Sequence, residues 1–223
     1  MNNVLSSMRF MLMWVFGSVI AFYGIAILAL IILFASSMVA AFLFMTTQQE
    51  LTVTGAIIFT VIVYSLIGLF SGLIVGSVQK SLLQQKTEES FKGWIVASAL
   101  GGIIGLNITG FTVGQQIMNL ISNLKIPPQE TVMMLGLQLL LIPLAAIGIC
   151  QASILMRYVK GAWVWVLANV VGGVVVISLS IATATGTLIA PFSIIFIVIA
   201  LSAAPGIVTG FAMLWLLNFN WKY

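Results

Sequence analysis

Six long apolar stretches constrain the fold of this chain more than any other feature, because none contains an Asp, Glu, Lys, Arg or His residue. A transmembrane helix needs about 20 apolar residues, and every stretch is at least that long. The predicted spans are 12–44, 53–79, 94–116, 131–156, 162–184 and 192–217. Only 5% of the 223 residues are charged, whereas a soluble domain carries about 25%. The sequence therefore predicts an all-α protein with one integral membrane domain over residues 1–223.

The first stretch, 12–44, is longer than a bilayer requires. A helix with surplus apolar length must tilt, bend or extend beyond the lipid, and Gly24 is the predicted position of a bend. The stretch also exceeds the roughly 7–15 apolar residues of a signal peptide. We therefore expect it to form the first span.

The basic residues predict which side of the membrane each loop faces. If the N-terminus is cytoplasmic, seven of the eight Lys and Arg residues fall in cytoplasmic segments and only Lys125 falls outside. Cytoplasmic loops of membrane proteins carry such an excess. Both termini are therefore predicted to be cytoplasmic. The net charge of +4 is assigned to this orientation, and no nucleic-acid partner is expected.

All six tryptophans fall near the predicted cytoplasmic ends of the spans. They are Trp14, Trp94, Trp163, Trp165, Trp215 and Trp221. Indole rings favour the headgroup layer, where the ring is buried and the N–H remains hydrated. We predict that these residues anchor the protein at the cytoplasmic interface. A docking surface for a partner at this face is the alternative.

An internal repeat of two half-motifs is the most specific pattern in the chain. The first half-motif begins the outward-running helices and occupies 94–102, 165–173 and, more weakly, 14–21. The second ends the inward-running helices and occupies 76–79, 148–151 and 210–213. Met213 stands where the first two copies have glutamine. The repeat predicts three two-helix units in parallel orientation, related by a rough threefold axis along the membrane normal.

Small residues recur on single faces of these helices. Ten glycines are predicted to pack helices closely: Gly68, Gly72, Gly76, Gly101, Gly105, Gly148, Gly172, Gly173, Gly206 and Gly210. Lipid supplies no hydrophobic drive for helix association, so close backbone approach matters. The contacts are expected within this chain, with contact to another subunit as the alternative. Pro143 and Pro205 lie inside spans and are predicted to kink them.

Neutral polar residues are the only candidates for binding chemistry within the membrane. The main candidates are Gln79, Ser98, Asn107, Gln138, Gln151 and Asn169. The fifth span adds a run of hydroxyls at Ser178, Ser180, Thr183 and Thr185. Such groups either bond a neighbouring helix or line a path for a solute, and both interpretations remain open.

The sequence argues against catalysis and against metal binding. It contains no His and no Asp, and its four Glu residues lie between the spans. General acid–base catalysis and zinc sites depend on such groups, and ion-coupled transporters usually keep a charged residue within the membrane. We expect no catalytic residue, no metal site and no cofactor, although a pigment or lipid held without histidine remains open.

The pattern Gly-x3-Gly-x2-Gln, a basic loop, then Trp-x3-Ser/Asn-x2-Gly-Gly falls in 68–105 and 144–176. It resembles a group of glycine-rich multi-span bacterial proteins, especially cyanobacterial ones, mostly without an assigned function. The resemblance implies a bacterial inner or thylakoid-type membrane. The six-span layout with both ends inside also resembles the membrane substrate-binding subunits of vitamin-type ABC importers.

These observations favour a non-catalytic integral membrane subunit, or an interaction module, of a larger membrane complex. Its expected partners are the lipid bilayer and other membrane protein subunits. The alternative is a facilitative channel or a solute-binding membrane subunit of a transporter. In that case Asn107, Gln138, Asn169 and the hydroxyls of the fifth span would line the path.

Overall fold

In a computed structural model the described part of the chain forms six α-helices. They are α1 Asn2–Thr47, α2 Val53–Thr87, α3 Trp94–Ser122, α4 Gln129–Leu155, α5 Trp163–Ala184 and α6 Ser193–Phe219. The structure describes residues 2–47, 53–122, 129–184 and 193–219. Each helix contains a segment long and apolar enough to cross a membrane. The predicted all-helical chain with six candidate spans is therefore confirmed.

The helices form a closed ring. Each helix packs against its neighbours in chain order, and α1 packs against α6. The starts of α1, α3 and α5 meet the ends of α2, α4 and α6 in one buried apolar cluster. We call this end of the ring the tryptophan end, because Trp14, Trp94 and Trp165 lie in that cluster.

Helix length differs greatly around the ring. With 22 residues, α5 rises about 33 Å, close to the roughly 30 Å hydrocarbon core of a bilayer. With 46 residues, α1 rises about 69 Å. It continues as one helix through Gly24, and the bend predicted there remains a prediction.

Glycine lies at every one of the six helix–helix contacts. The predicted glycines Gly68, Gly72 and Gly76 face α3, Gly101 and Gly105 face α4, Gly148 faces α5, Gly172 faces α6, Gly173 faces α4, and Gly206 and Gly210 face α1. Gly17, which the sequence did not single out, lies between α1 and α2 against Val78 and Leu82. All ten predicted glycines thus lie in contacts within this chain.

Two of these contacts show why a larger residue would not fit. A Cβ atom on Gly101 would lie 2.5 Å from the Cα of Ile147, and one on Gly105 would lie 2.6 Å from the Cα of Pro143. Because both obstacles are backbone atoms, a side chain here would force the helices apart. Close backbone approach of this kind is how helices associate where lipid gives no hydrophobic drive.

Both intramembrane prolines lie inside continuous helices, Pro143 in α4 and Pro205 in α6. Each packs against a glycine of the preceding helix, Gly105 of α3 and Gly172 of α5 respectively. Proline removes one backbone donor from a helix, and the kinks predicted from this remain predictions.

Candidate functional site: a buried indole–amide cluster

Three tryptophans from three helices form the centre of the tryptophan end. Trp14, Trp94 and Trp165 are all buried. The ring centroid of Trp165 lies 5.9 Å from that of Trp14 and 6.1 Å from that of Trp94. The prediction that these three anchor the headgroup layer is wrong, because the other helices of the ring cover their indole rings.

The other tryptophans differ. Trp163 is 59% exposed and Trp215 is 45% exposed, so an interfacial role remains a prediction for both. Trp221 lies outside the described residues. Spacing along the chain places all these rings near one end, but it does not say which face of each helix points inward.

Each clustered tryptophan is followed one turn later by a side chain that bonds back to it. Ser18 Oγ donates to the carbonyl oxygen of Trp14, and Ser98 Oγ donates to that of Trp94. Asn169 Nδ2 donates to the carbonyl oxygen of Trp165. All three bonds measure 2.8 Å. Each bond gives a side-chain donor a partner within its own helix. A buried polar group without a hydrogen bond would cost free energy in an apolar surrounding.

Gln151 connects three helices through one amide. Its Nε2 donates to Gln79 Oε1 and to Ser98 Oγ, both at 2.7 Å. Its Oε1 accepts from Trp165 Nε1 at 2.8 Å. An amide has two N–H donors and one carbonyl acceptor, so both donors are used. The carbonyl also has a partner, and this fully buried side chain is satisfied by α2, α3 and α5.

Thr209 takes the corresponding role between α6 and α1. Trp14 Nε1 donates to Thr209 Oγ1 at 3.1 Å, and that hydroxyl donates to the carbonyl oxygen of Pro205. The buried Met213 one turn later offers no comparable acceptor. Thr209 is not among the polar residues predicted from the sequence. Its position between Gly206 and Gly210, on a face of small residues, was the available indication.

One indole in the cluster lacks a hydrogen-bond partner. Trp94 Nε1 is buried and has none among the described residues. Gln79 Oε1, the amide oxygen of the preceding helix, accepts from Gln151 instead. An unmade buried hydrogen bond costs about 1–3 kcal/mol, so the cluster satisfies its polar groups incompletely.

Apolar residues of the two described loops close the tryptophan end. Phe91 and Val159 are buried. The Phe91 ring lies 6.0 Å from Trp94 and 4.8 Å from Tyr158, measured between centroids. Phe91 has a φ of 39°, in the left-handed region that non-glycine residues seldom adopt. In this backbone conformation the Phe91 ring is fully buried. Nothing in the sequence predicted that Phe91 would be buried.

The remaining polar candidates form their bonds away from the cluster. Asn107 Nδ2 donates to Ser65 Oγ and to the carbonyl oxygen of Ile103, both at 2.9 Å, and its Oδ1 has no partner among the described residues. Gln138 Oε1 accepts from Gln116 Nε2 at 3.1 Å. The hydroxyls of the fifth span that the structure describes, Ser178 and Ser180, donate to carbonyls of their own helix and are exposed. The side chains of Thr183 and Thr185 lie outside the described residues.

A cavity of 150 Å³ lies beside the cluster, lined by residues of α1, α2, α4, α5 and α6. Its polar lining comprises Ser18, Gln79, Asn169, Ser202 and Thr209. Most of the remaining lining is aliphatic or aromatic. Of the predicted polar candidates, Gln79 and Asn169 therefore reach a common cavity, whereas Asn107 and Gln138 are not among its described lining residues.

Neutral dipoles are the only polar groups in the cluster and in the described lining of the cavity. Within the described parts of the chain, no three His, Cys, Asp or Glu residues come together in a way that could hold a metal ion. The arrangement can therefore position indoles and amides and can accept a small neutral or apolar molecule. No protein-family model matches the chain, and neither the curated proteins nor the solved structures include a match.

Proposed function

We propose that this chain is a non-catalytic integral membrane subunit, or an interaction module, of a larger membrane complex. The observation that carries the proposal is the surplus apolar length of α1. The apolar stretch 12–44 contains 33 residues, and every buried side chain among the described residues of α1 lies at or before Ala21. A partner subunit would cover the apolar surface of α1 that neither the other helices nor the bilayer covers.

The packed part of α1 is defined by its contacts. Met11 and Trp14 lie against Gly210, and Ser18 lies against Gly206. Further along α1, large apolar side chains are exposed. They include Ile27, Leu30, Ile31, Leu33, Phe34, Met38 and Val39. Since the first part of α1 is held at the tryptophan end, the surplus length falls at the opposite end.

A bilayer alone does not account for this length. The charge-free stretch 12–44 contains 33 residues and rises about 50 Å at 1.5 Å per residue, and the hydrocarbon core is about 30 Å thick. Tilting by about 40°, the upper end of the usual range, would still leave about 38 Å along the membrane normal. Part of this apolar helix therefore needs cover other than lipid tails, and an apolar surface of a partner membrane subunit would supply it.

The internal chemistry supports a structural role. The bonded polar side chains join neighbouring helices or bond the backbone of their own helix, and the sequence has no charged residue within the six apolar stretches. The chain lacks His and Asp altogether, the groups on which most acid–base catalysis depends. We therefore infer that the protein acts through its shape and its outer surface, and not through catalysis.

Capture of the tagged full-length chain in mild detergent tests this proposal. The variant L30A/F34A/M38A removes three exposed apolar side chains from one face of α1. We expect it to retain at least tenfold less of the subunit that co-purifies with the unaltered chain. Quantitative mass spectrometry of the captured material provides the measurement.

The matched control is L100A/I104A/I108A, which removes three exposed apolar side chains at the same spacing on α3. These residues lie within a helix segment that lipid covers, so capture of the partner should be unchanged. Purification of the unaltered chain alone under every gentle condition would contradict the proposal. Equal loss of the partner from both variants would also contradict it.

The proposal includes three two-helix units around a rough threefold axis. The matching bonds of Ser18, Ser98 and Asn169 support it, because each lies four residues after a clustered tryptophan. The burial of Gln79, Gln151 and Met213 supports it as well. Thr209 replaces the glutamine interaction in the third unit.

The proposed location is a bacterial inner or thylakoid-type membrane, with both termini cytoplasmic. The distribution of basic residues supports this orientation. The described cations lie near the start of α1, in the last part of α2 or in the two loops at the tryptophan end, and they are Arg9, Lys80, Lys86, Lys92, Arg157 and Lys160. That end would then face the cytoplasm. The resemblance to glycine-rich cyanobacterial-type membrane proteins supports the choice of membrane.

A solute-binding membrane subunit, or a facilitative channel, is the second candidate, and the 150 Å³ cavity is the observation that favours it. Flux of neutral solutes into liposomes tests this function. The variant N169L replaces a polar lining residue with a bulkier apolar one and should abolish flux. The control S180A alters an exposed hydroxyl outside the described lining and should leave flux unchanged. Absence of flux through the unaltered chain would exclude this candidate for the solutes tested.

A further inference from the structure

A groove between the first part of α1 and the end of α2 carries two cations. It has a volume of 380 Å³ and lies apart from the 150 Å³ cavity, with which it shares only Leu82 among the described lining residues. Its rim contains Ser6, Arg9, Gln85 and Lys86, and its floor contains Phe10 and Met13. We call it the basic groove.

The rim of the basic groove offers hydrogen-bond donors to an anion. Lys86 Nζ donates to Ser6 Oγ at 3.0 Å, and a lysine ammonium has two further N–H donors. The guanidinium of Arg9 adds a fork of donors that matches phosphate oxygens. Among the described residues the lining contains no carboxylate, so no acidic group in it competes for these cations.

The depth of the basic groove corresponds to a headgroup layer. Arg9 directly precedes Phe10, and Lys86 lies three residues beyond Leu83. Phe10 and Leu83 both belong to the buried apolar cluster. At 1.5 Å per residue, the two cations stand about 1.5 and 5 Å beyond these residues along their helices. The apolar floor formed by Phe10 and Met13 begins where an acyl chain would enter the hydrocarbon region.

We propose that the basic groove binds the phosphate of an anionic phospholipid, with Arg9 and Lys86 as its ligands. Basic pockets between membrane helices bind lipid headgroups in this way. A soluble phosphate monoester shares the same chemistry, but it has no acyl chain to place on the apolar floor. The two sources can therefore be separated by experiment.

Native mass spectrometry of the full-length chain tests this proposal. The chain is released from nanodiscs that contain equal amounts of phosphatidylglycerol and zwitterionic phosphatidylcholine. The unaltered protein should retain phosphatidylglycerol selectively. R9Q/K86Q should retain it about 30-fold less, the factor expected for two basic residues at a membrane surface. R9K/K86R keeps both charges and should retain most of the binding.

The matched control is K92Q/K160Q, which removes the same charge from exposed loop positions at the same end and should bind as the unaltered chain does. Equal retention of both lipids by the unaltered protein would overturn the proposal, as would equal loss in R9Q/K86Q and K92Q/K160Q. Displacement of the lipid by millimolar glycerol 3-phosphate would confirm the phosphate site but assign it to a soluble ligand. Failure of that compound to displace the lipid assigns the site to the phospholipid.

Discussion

The two halves of α1 have similar apolar composition, but among the described side chains only the first half contains buried ones. In the first half, Phe10, Trp14 and Ala21 are buried in contacts with the rest of the ring. In the second half, 26–42, apolar side chains as large as Phe34 are exposed. The first half contains Gly17 and Gly24, and 26–42 contains no glycine. Apolar composition therefore accounts for membrane insertion, whereas in α1 the glycines mark the half that packs.

The largest difference between the halves of α1 should be in the free energy of unfolding when one phenylalanine in each half is replaced by alanine. Phe10 is 5% exposed and Phe34 is 69% exposed. Removing a buried phenylalanine ring leaves a cavity, so F10A should lower the free energy of unfolding by about 3–5 kcal/mol. F34A should change it by less than about 0.5 kcal/mol. Unfolding of both variants in detergent micelles provides the measurement, and equal effects would show that the halves do not differ in packing.

The next test compares two intramembrane glutamines. Q151L leaves the indole N–H of Trp165 and the amide oxygen of Gln79 without their partner, so it should destabilise the protein by about 2–4 kcal/mol. Q138L removes a single bond to Gln116 and should cost about 0.6 kcal/mol, the average for one such bond in a membrane protein. The same unfolding experiment measures both, and the reverse order would contradict the assigned role of Gln151.

A smaller effect is expected from adding side-chain volume to each half of α1. A Cβ on Gly17 would lie 2.7 Å from a methyl carbon of Val78, so G17V should cost about 1–3 kcal/mol through overpacking. A35V adds volume at an exposed position and should be close to neutral. If A35V destabilises the isolated protein as much as G17V, the second half of α1 is packed against its own chain.

The smallest effect concerns the third unit of the proposed repeat. T209V removes the acceptor for Trp14 Nε1 and should cost about 1 kcal/mol. The double variant T209V/M213Q introduces the glutamine of the other two units and should recover part of this loss. Thermal unfolding of the two variants measures the difference. Further destabilisation by M213Q would count against the equivalence of the three units.

Much of the architecture could be predicted because a bilayer imposes simple rules. Apolar length predicted six helices, and the glycine spacing pointed to residues that lie at contacts, such as Gly68 and Gly105. The repeat also aligned Gln79 with Gln151, which bond each other directly. These features depend on periodicity within a helix, which the sequence contains.

The features that were missed depend on how helices rotate relative to one another. The predicted interfacial role of Trp14, Trp94 and Trp165 followed from the usual preference of indole for the headgroup layer. Their indoles instead point into the helix bundle, because the rotation of each helix about its axis sets which residues face inward. Thr209 became an acceptor only because α6 lies beside α1. Phe91 fills the end of the bundle from a loop, and loop residues carry no periodic pattern.

Quenching of tryptophan fluorescence tests the buried cluster most directly. In the variant W163F/W215F/W221F the emission comes only from Trp14, Trp94 and Trp165. Reconstituted into a bilayer, this variant should be quenched weakly by aqueous acrylamide and weakly by lipids brominated near the headgroup, because the three rings are enclosed by protein. Strong quenching by the brominated lipids would place these rings in the headgroup layer and would contradict their burial within the protein.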